Sequence, residues 1–299
     1  MSKKLLLAVI IVLLITNIAS VLIFSRGEMV TLDEDNQKLS ARDTVATVDG
    51  ETITSEAWIN SLTNTYGKDQ LKTMIDREVV EKLAEENKIE VDEKVISREI
   101  SLLATMQGIT SKEEYALLKD GWRRDIIYRY QLEQLLTMDT QIPEEEIKNF
   151  YDLHGNQYNF TAAMQLSHIL VPDMQTAEKV IGELKQGASF PLLAEEYTMD
   201  EESENNGGYI GFLHTNSQFF PNGYEEVAHD MEEGTYSEPF RADTGIAIIY
   251  LHRKLPSITF TYDELKPYIK SELAMQKTDE SLSASRLWGE LEIDWIFEE

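Results

Sequence analysis

The sequence predicts an α+β protein: a membrane-anchor helix, a lobe of amphipathic helices drawn from both ends of the chain, and an antiparallel sheet unit, surrounded by its own helices, inserted into that lobe. Three observations carry this. An uncharged apolar span follows two lysines at the N-terminus. Helical apolar stripes lie on both sides of a central stretch. That stretch alternates short strand patterns with helical ones.

Residues 1–4, with Lys3 and Lys4, read as a basic tip, and residues 5–24 as the span. Those twenty residues carry no charge. At 1.5 Å per residue they reach about 30 Å, the thickness of bilayer hydrocarbon. Lysines before the span keep the N-terminus in the cytoplasm and put the bulk outside. A cleaved signal is the rival reading, but its apolar region runs about 7–15 residues. Residues 25–43 are polar, lack periodicity and read as a linker.

Residues 44–54 read as two short strands around Asp49-Gly50, a hairpin turn pair. Ser55 is an N-cap candidate for a helix to Tyr66. Leu71, Met74, Ile75, Val79 and Leu83 stripe a helix over 69–87. Val95, Ile96, Ile100, Leu103 and Met106 repeat the pattern up to Gly108. A long helical run covers 111–138, with Gly121 as a point where it can bend. Pro143 opens another helix as an N1 proline, ending near His154.

Residues 165–172 read as a strand with Leu166, His168 and Leu170 on one face and Ser167, Ile169 and Val171 on the other. Pro172 ends it. Ala177, Val180, Ile181 and Leu184 mark a helix with Gly187 at C′, and Phe190, Leu193, Ala194 and Tyr197 mark a second. An acidic loop at 200–206 precedes Gly207-Gly208-Tyr209-Ile210-Gly211-Phe212. Tyr224, Val227, Ala228 and Met231 mark a further helix, stopped at Gly234. Residues 237–240, a turn at Asp243-Thr244-Gly245 and a strand at 246–251 close the unit. Beyond Pro256, Leu265, Ile269, Leu273 and Met275 stripe a helical segment over 262–288. Trp288, Ile293, Trp295 and Phe297 fall in the last turns. The apolar faces at the two ends of the chain are expected to cover each other.

A net charge of −27 excludes a general nucleic-acid binder, which needs basic surface to release counterions. It suits a body that must not adhere to anionic surfaces or to itself. No cysteine is present, so disulfides, thiolate chemistry and Cys-ligated zinc are excluded. The five histidines form no His-x-x-x-His pair, and no metal site or cofactor is expected. The run Glu201, Glu202, Glu204 lacks the ligand spacing of an EF-hand and reads as a solvated loop. Asn206-Gly207-Gly208 has no Lys-Ser/Thr after it, as a phosphate loop would require.

Four strings occur in order: Ser167-His168-Ile169-Leu170; Ala194-Glu195-Glu196-Tyr197-Thr198-Met199-Asp200; Gly207-Gly208 with Gly211-Phe212; and Ser237-Glu238-Pro239 followed by Asp243-Thr244-Gly245-Ile246-Ala247-Ile248-Ile249. Together they resemble the parvulin-type peptidyl-prolyl isomerase domain. Over residues 45–299 the chain is similar to the PrsA-type extracytoplasmic foldases of Gram-positive bacteria, in particular their YacD-like members. The resemblance implies a helical chaperone lobe with the parvulin unit inserted. With the tip, anchor and linker read above from charge and hydropathy, the chain divides into the basic tip 1–4, the anchor 5–24, the linker 25–43, an N-terminal part of the lobe at 44–160, the parvulin-like unit at 161–255, and a C-terminal segment 256–299 that completes the lobe.

The same resemblance assigns site residues. His168 matches the family's first histidine; its bland reading is a satisfied core histidine. Asp200 matches a position held by Cys or Asp, where it can accept a hydrogen bond or act on the charge of the imide nitrogen; it reads equally as an acidic-loop carboxylate or an N-cap. Thr244 matches a hydroxyl that steadies the histidines, and turn chemistry explains it as well. Phe219 and Tyr224 match residues lining the proline pocket, although Tyr224 also reads as the apolar anchor of its helix. Two positions depart from the family. Ala247 stands where a second histidine is expected, and Tyr209 replaces an Asp. The segment 171–176 has no Lys or Arg, so selectivity for phosphorylated sites is not expected.

Rotating an X-Pro bond crosses about 18–20 kcal/mol without breaking a covalent bond. A site needs only to grip the proline, strip water from the imide and favour the twisted form. Two functional readings follow. One is a membrane-anchored extracytoplasmic isomerase that helps exported, partly folded polypeptides, held in the bilayer from Leu5 to Phe24. The other is a chaperone-like binding module whose parvulin unit is weakened or silenced by Ala247. Pairing of two copies as a homodimer through the helical lobe is compatible with the sequence.

Overall fold

The structure, a computed structural model, describes residues 30–32, 37–40, 42–215, 217–218, 220–278 and 282–297. The expected anchor 5–24 lies outside them. Among the described residues no helix is long and apolar enough to cross a membrane. The described residues form two compact units. One ends at Asp76 and takes back the chain from Ile293; the other is Arg77–Glu292.

In the first unit, strands β1 (Val30–Leu32) and β2 (Gln37–Leu39) pair antiparallel within the stretch expected to be featureless linker. Strands β3 (Thr44–Val48) and β4 (Glu51–Thr54) form the expected hairpin. Asp49 and Gly50 both have positive φ, 51° and 90°, as a two-residue turn of this hand requires. Helix α1 (Ser55–Glu86) begins here and runs on past Asp76. The sequence suggests a break after Tyr66, but Gly67 sits inside the helix. One glycine costs only about 1 kcal/mol against alanine, too little to stop 32 residues.

The second unit opens with α2 (Glu93–Gln107), capped by Asp92, whose side chain accepts from the Lys94 amide at 2.7 Å, and ended by Gly108 at φ 62°. Helix α3 (Lys112–Thr137) starts on the Ser111 cap and passes Gly121 without interruption. Helix α4 is Glu144–His154, with Pro143 at the cap position, one residue before the expected N1. A sheet follows in the order β6-β5-β9-β7, with β8 also on β9 and every pairing antiparallel. Its strands are β5 (Ala163–Val171), β6 (Tyr209–His214), β7 (Thr235–Tyr236), β8 (Phe240–Arg241) and β9 (Ile246–Leu255).

One sheet face packs Ile169, Val171, Ile246 and Ile248 against helices α5 (Met174–Lys185) and α6 (Phe190–Tyr197). On the other face Leu166, Ala247, Ile249 and Leu251 cluster with Tyr224 and Ala228 of helix α8 (Tyr224–Asp230). The short helix α7 (Glu201–Glu204) fills the expected acidic loop. Helix α9 (Tyr262–Thr278) places Leu265, Ile269, Leu273 and Ala274 in one apolar cluster with Val95, Ala104 and Ile147. Among the described residues it runs to Thr278; residues 284–290, with Trp288, form a 3₁₀ helix, and residues 293–297 are not helical, so Trp295 and Phe297 do not fall in helical turns.

A buried polar joint ties the α2–α3 loop to the sheet. Gln165 and Arg253 are cross-strand neighbours, 0% and 6% exposed. Arg253 donates to the Ile109 carbonyl at 3.0 Å and to Gln165 Oε1 at 3.1 Å, with its guanidinium 3.6 Å from the centre of the Tyr115 ring. Gln165 Nε2 donates to the same carbonyl and to the Tyr209 hydroxyl, at 3.1 and 3.0 Å. Tyr209 therefore bridges the sheet edge and this loop.

Candidate active site

Three segments converge on His168. Strand β5 is central in the sheet, and its alternation sends His168 to the face of Leu166 and Ala247, where it is 7% exposed. The segment after α6 is fastened to the end of β5: the Leu170 amide donates to Thr198 Oγ1 at 3.1 Å, and the Met199 amide donates to the Leu170 carbonyl at 2.7 Å. That register brings Asp200, next in the chain, alongside His168. The third segment is the start of α8. Gly223 at φ 85° turns the chain into Tyr224, and the Asp243 carboxylate accepts hydrogen bonds from Asn222 just before it.

The resulting network is short and directional. His168 Nε2 lies 2.9 Å from Asp200 Oδ2 and 3.1 Å from Ser203 Oγ, and Ser203 Oγ donates to the same Asp200 oxygen at 2.6 Å. On the other side of the ring, His168 Nδ1 lies 2.8 Å from the Tyr224 hydroxyl. Tyr224 is 1% exposed, with its ring edge-on to Phe240 at 5.3 Å.

Burial lowers the His168 pKa and outweighs the pull of Asp200 in the other direction. Burial also works to raise the Asp200 carboxyl, but hydrogen bonds from Ser203 and His168 prevail and hold it below the usual carboxylate range. The pair at neutral pH is thus a neutral imidazole donating from Nε2–H to a carboxylate, and Nδ1 is an acceptor. Burial, then the charges of Asp200 and Asp243, push the Tyr224 phenol up, so it stays an O–H donor. The Asp200 side chain, 27% exposed, is the member of the network open to solvent.

The structure therefore brings together His168, Asp200 and Tyr224. Thr244 is exposed in its turn, and among the described hydrogen bonds none joins it to His168. Phe219 lies outside the described residues. Ala247 is fully buried, paired with Leu170 across β5 and with Phe240 across β8, and shares the apolar cluster of Tyr224. Two contributors escaped the sequence reading. Ser203 looked like one more residue of an acidic loop; a serine three residues after an N-cap aspartate was the available signal. Asp243, next to the Thr244 singled out, holds the entry to α8.

Comparison with known proteins decides the family. The chain is 34% identical over 261 residues to "Putative peptidyl-prolyl cis-trans isomerase YacD" of Bacillus subtilis, covering 87% of this chain and 88% of that one. It belongs to the PrsA-type family of parvulin peptidyl-prolyl isomerases. Within that family it is 30% identical over 239 residues to "Foldase protein PrsA" of Geobacillus kaustophilus, 79% of each chain. The family model of the PPIC-type PPIase domain matches residues 173–253, a span that holds Asp200, Ser203, Tyr224 and Ala247 and begins after His168. A solved PrsA from Bacillus cereus aligns over 86% of this chain and 95% of its own, with 23% identity and a TM-score of 0.33. The PrsA-type chain described here thus combines helices and an antiparallel sheet with a parvulin domain.

Proposed function

We propose that this foldase isomerises X-Pro bonds of exported polypeptides at the His168–Asp200 network. The observation that supports the reading is the buried, neutral His168 held at both ring nitrogens beside a carboxylate that remains open to solvent. In a planar imide the nitrogen lends its lone pair to the carbonyl, leaving negative charge on oxygen. A carboxylate fixed near that oxygen raises the energy of the conjugated form relative to the twisted one, in which the charge separation is lost. His168 keeps the carboxylate oriented, and Ser203 shares the task. Met199, 43% exposed, and the half-buried Leu170 offer apolar contact beside Asp200 for a proline ring.

The reading extends to the rest of the chain. Residues 5–24 anchor it in the membrane with the N-terminus in the cytoplasm, supported by the uncharged span behind Lys3 and Lys4. The helices of 44–160 and the segment 256–299 make a lobe that holds clients around the parvulin unit. The binding-module alternative rests on Ala247; the Nδ1 contact with Tyr224 supports the isomerase reading over it. The test is exchange of a proline peptide followed by NMR with the full chain in detergent. Acceleration that Asp200→Asn and His168→Ala each reduce at least tenfold supports the reading; exchange at the uncatalysed rate ends it.

A further inference from the structure

We propose that the Tyr224 hydroxyl is the positioning partner of His168, doing for this chain what the histidine missing at Ala247 would do, so that the isomerase network is rewired and not broken. The inference rests on reading the site as a prolyl isomerase, and it assigns Tyr224 a role other than lining a proline pocket.

The geometry is specific. A neutral imidazole has one donor and one acceptor nitrogen. Asp200, an acceptor, takes the Nε2–H at 2.9 Å. Nδ1 is left as a bare acceptor inside the protein, where an unmet polar atom is costly. The Tyr224 hydroxyl, 2.8 Å away, is the hydrogen bond described for it. The phenol cannot swing aside. Its ring is 1% exposed, edge-on to the Phe240 ring at 5.3 Å and to the His168 ring at 5.8 Å. The backbone before it is clamped by Asn222 to Asp243 and turned by Gly223. The small side chain of Ala247, fully buried in the same cluster, is what the arrangement requires: a histidine there would compete with the phenol for one space and one nitrogen.

Hydrogen bonds therefore run in one direction from Tyr224 through the imidazole to Asp200. Fixing both ring nitrogens fixes the tautomer and the ring angle, and so the orientation of the exposed carboxylate. Tyr224 touches no substrate; it acts through His168.

The test uses the full chain in detergent with histidine labelled at both ring nitrogens. In the parent, His168 should show a protonated Nε2 and an unprotonated Nδ1 whose resonance is displaced as hydrogen-bond acceptors are. Tyr224→Phe, which keeps the ring, should move Nδ1 toward the position of a free imidazole nitrogen. It should also lower kcat/KM for a proline peptide by about five- to 150-fold, the span for one buried hydrogen bond. A protonated Nδ1 in the parent overturns the proposal even if Tyr224→Phe fails to fold. An unmoved Nδ1, or an undiminished kcat/KM in a folded Tyr224→Phe, overturns it while leaving the isomerase reading intact. A parent that does not exceed the uncatalysed rate overturns the isomerase reading and, with it, the positioning role of Tyr224 in that reaction, whatever the resonances show.

Discussion

Gly208 lies against the backbone of His168 so closely that a Cβ on it would stand 2.1 Å from the His168 carbonyl oxygen. The His168 amide in turn donates to the Gly208 carbonyl at 2.7 Å, and Gly208 has φ 75°. The close approach seats the α7–β6 connection on β5 at the functional histidine. Gly208→Ala meets both a positive φ and a backbone clash, and should cost about 2–5 kcal/mol. Thermal melts should fall accordingly, with loss of isomerisation. A variant melting within a degree or two of the parent would show that the backbone there can move aside.

The second expectation concerns acid. Burial, with Arg253 beside it, pulls His252 from 6.5 down to about 4. Its Nε2 lies 2.8 Å from Ser167 Oγ, and the Tyr209 and Tyr250 rings flank it. The unfolded chain takes up this proton near pH 6.5, the folded chain only near pH 4. The stability is therefore full above about pH 6.5 and falls as pH drops through that window, by up to about 3 kcal/mol. The depressed pKa of His168 acts in the same direction. Denaturant midpoints of the parent and His252→Gln, measured from pH 7 to pH 4, should converge or cross as the parent loses stability faster. Parallel curves would mean that His252 titrates normally in the folded chain.

The parts of this architecture that were legible in the sequence are those set by local periodicity. The face shared by Leu166, His168 and Leu170 follows from strand alternation, and Asp49-Gly50 announces its hairpin. The break that the sequence suggests after Tyr66 fails because a lone glycine, Gly67, weakens a helix without ending it. The site was harder. Helical spacing registers Tyr224 only as an apolar anchor; where its hydroxyl goes depends on β5, 56 residues away in sequence. The joint of Gln165 with Arg253 forms across 88 residues and is fixed by β5–β9 register, which no local pattern encodes.

That joint yields a third expectation. Arg253→Lys keeps the charge but cannot both lie flat on Tyr115 and donate to Ile109 and Gln165. The loss of a buried hydrogen bond together with the cation–π contact should cost about 2–4 kcal/mol. Hydrogen exchange should quicken in residues 109–115 more than in α5 or α6. Uniform quickening across both regions would show that the joint does not hold the loop locally.

The last expectation concerns the C-terminal segment. On α9, Leu265 and Ile269 are 2% and 0% exposed and Leu273 is 8%; all three lie in the cluster containing Val95, Ala104 and Ile147. The Tyr268 hydroxyl accepts from the Asp92 amide at 2.8 Å, at the N-cap of α2. Ion pairs Lys94–Glu264, Lys266–Glu144 and Lys277–Glu146 surround this contact, but partly exposed pairs of this kind contribute little. Burial of three large aliphatic side chains is worth about 5–9 kcal/mol, a large share of the 5–15 kcal/mol that holds a typical domain. Ile269→Ala should therefore lower unfolding free energy by about 2–5 kcal/mol. Ending the chain at Leu255 should leave the α2–α4 helices without cooperative melting, and restoring 256–299 as a separate peptide should recover it in part. A sharp melt of the helical region in the shortened chain, unchanged on adding the peptide, would show that the N-terminal helices bury their own faces and that α9 is an accessory to them.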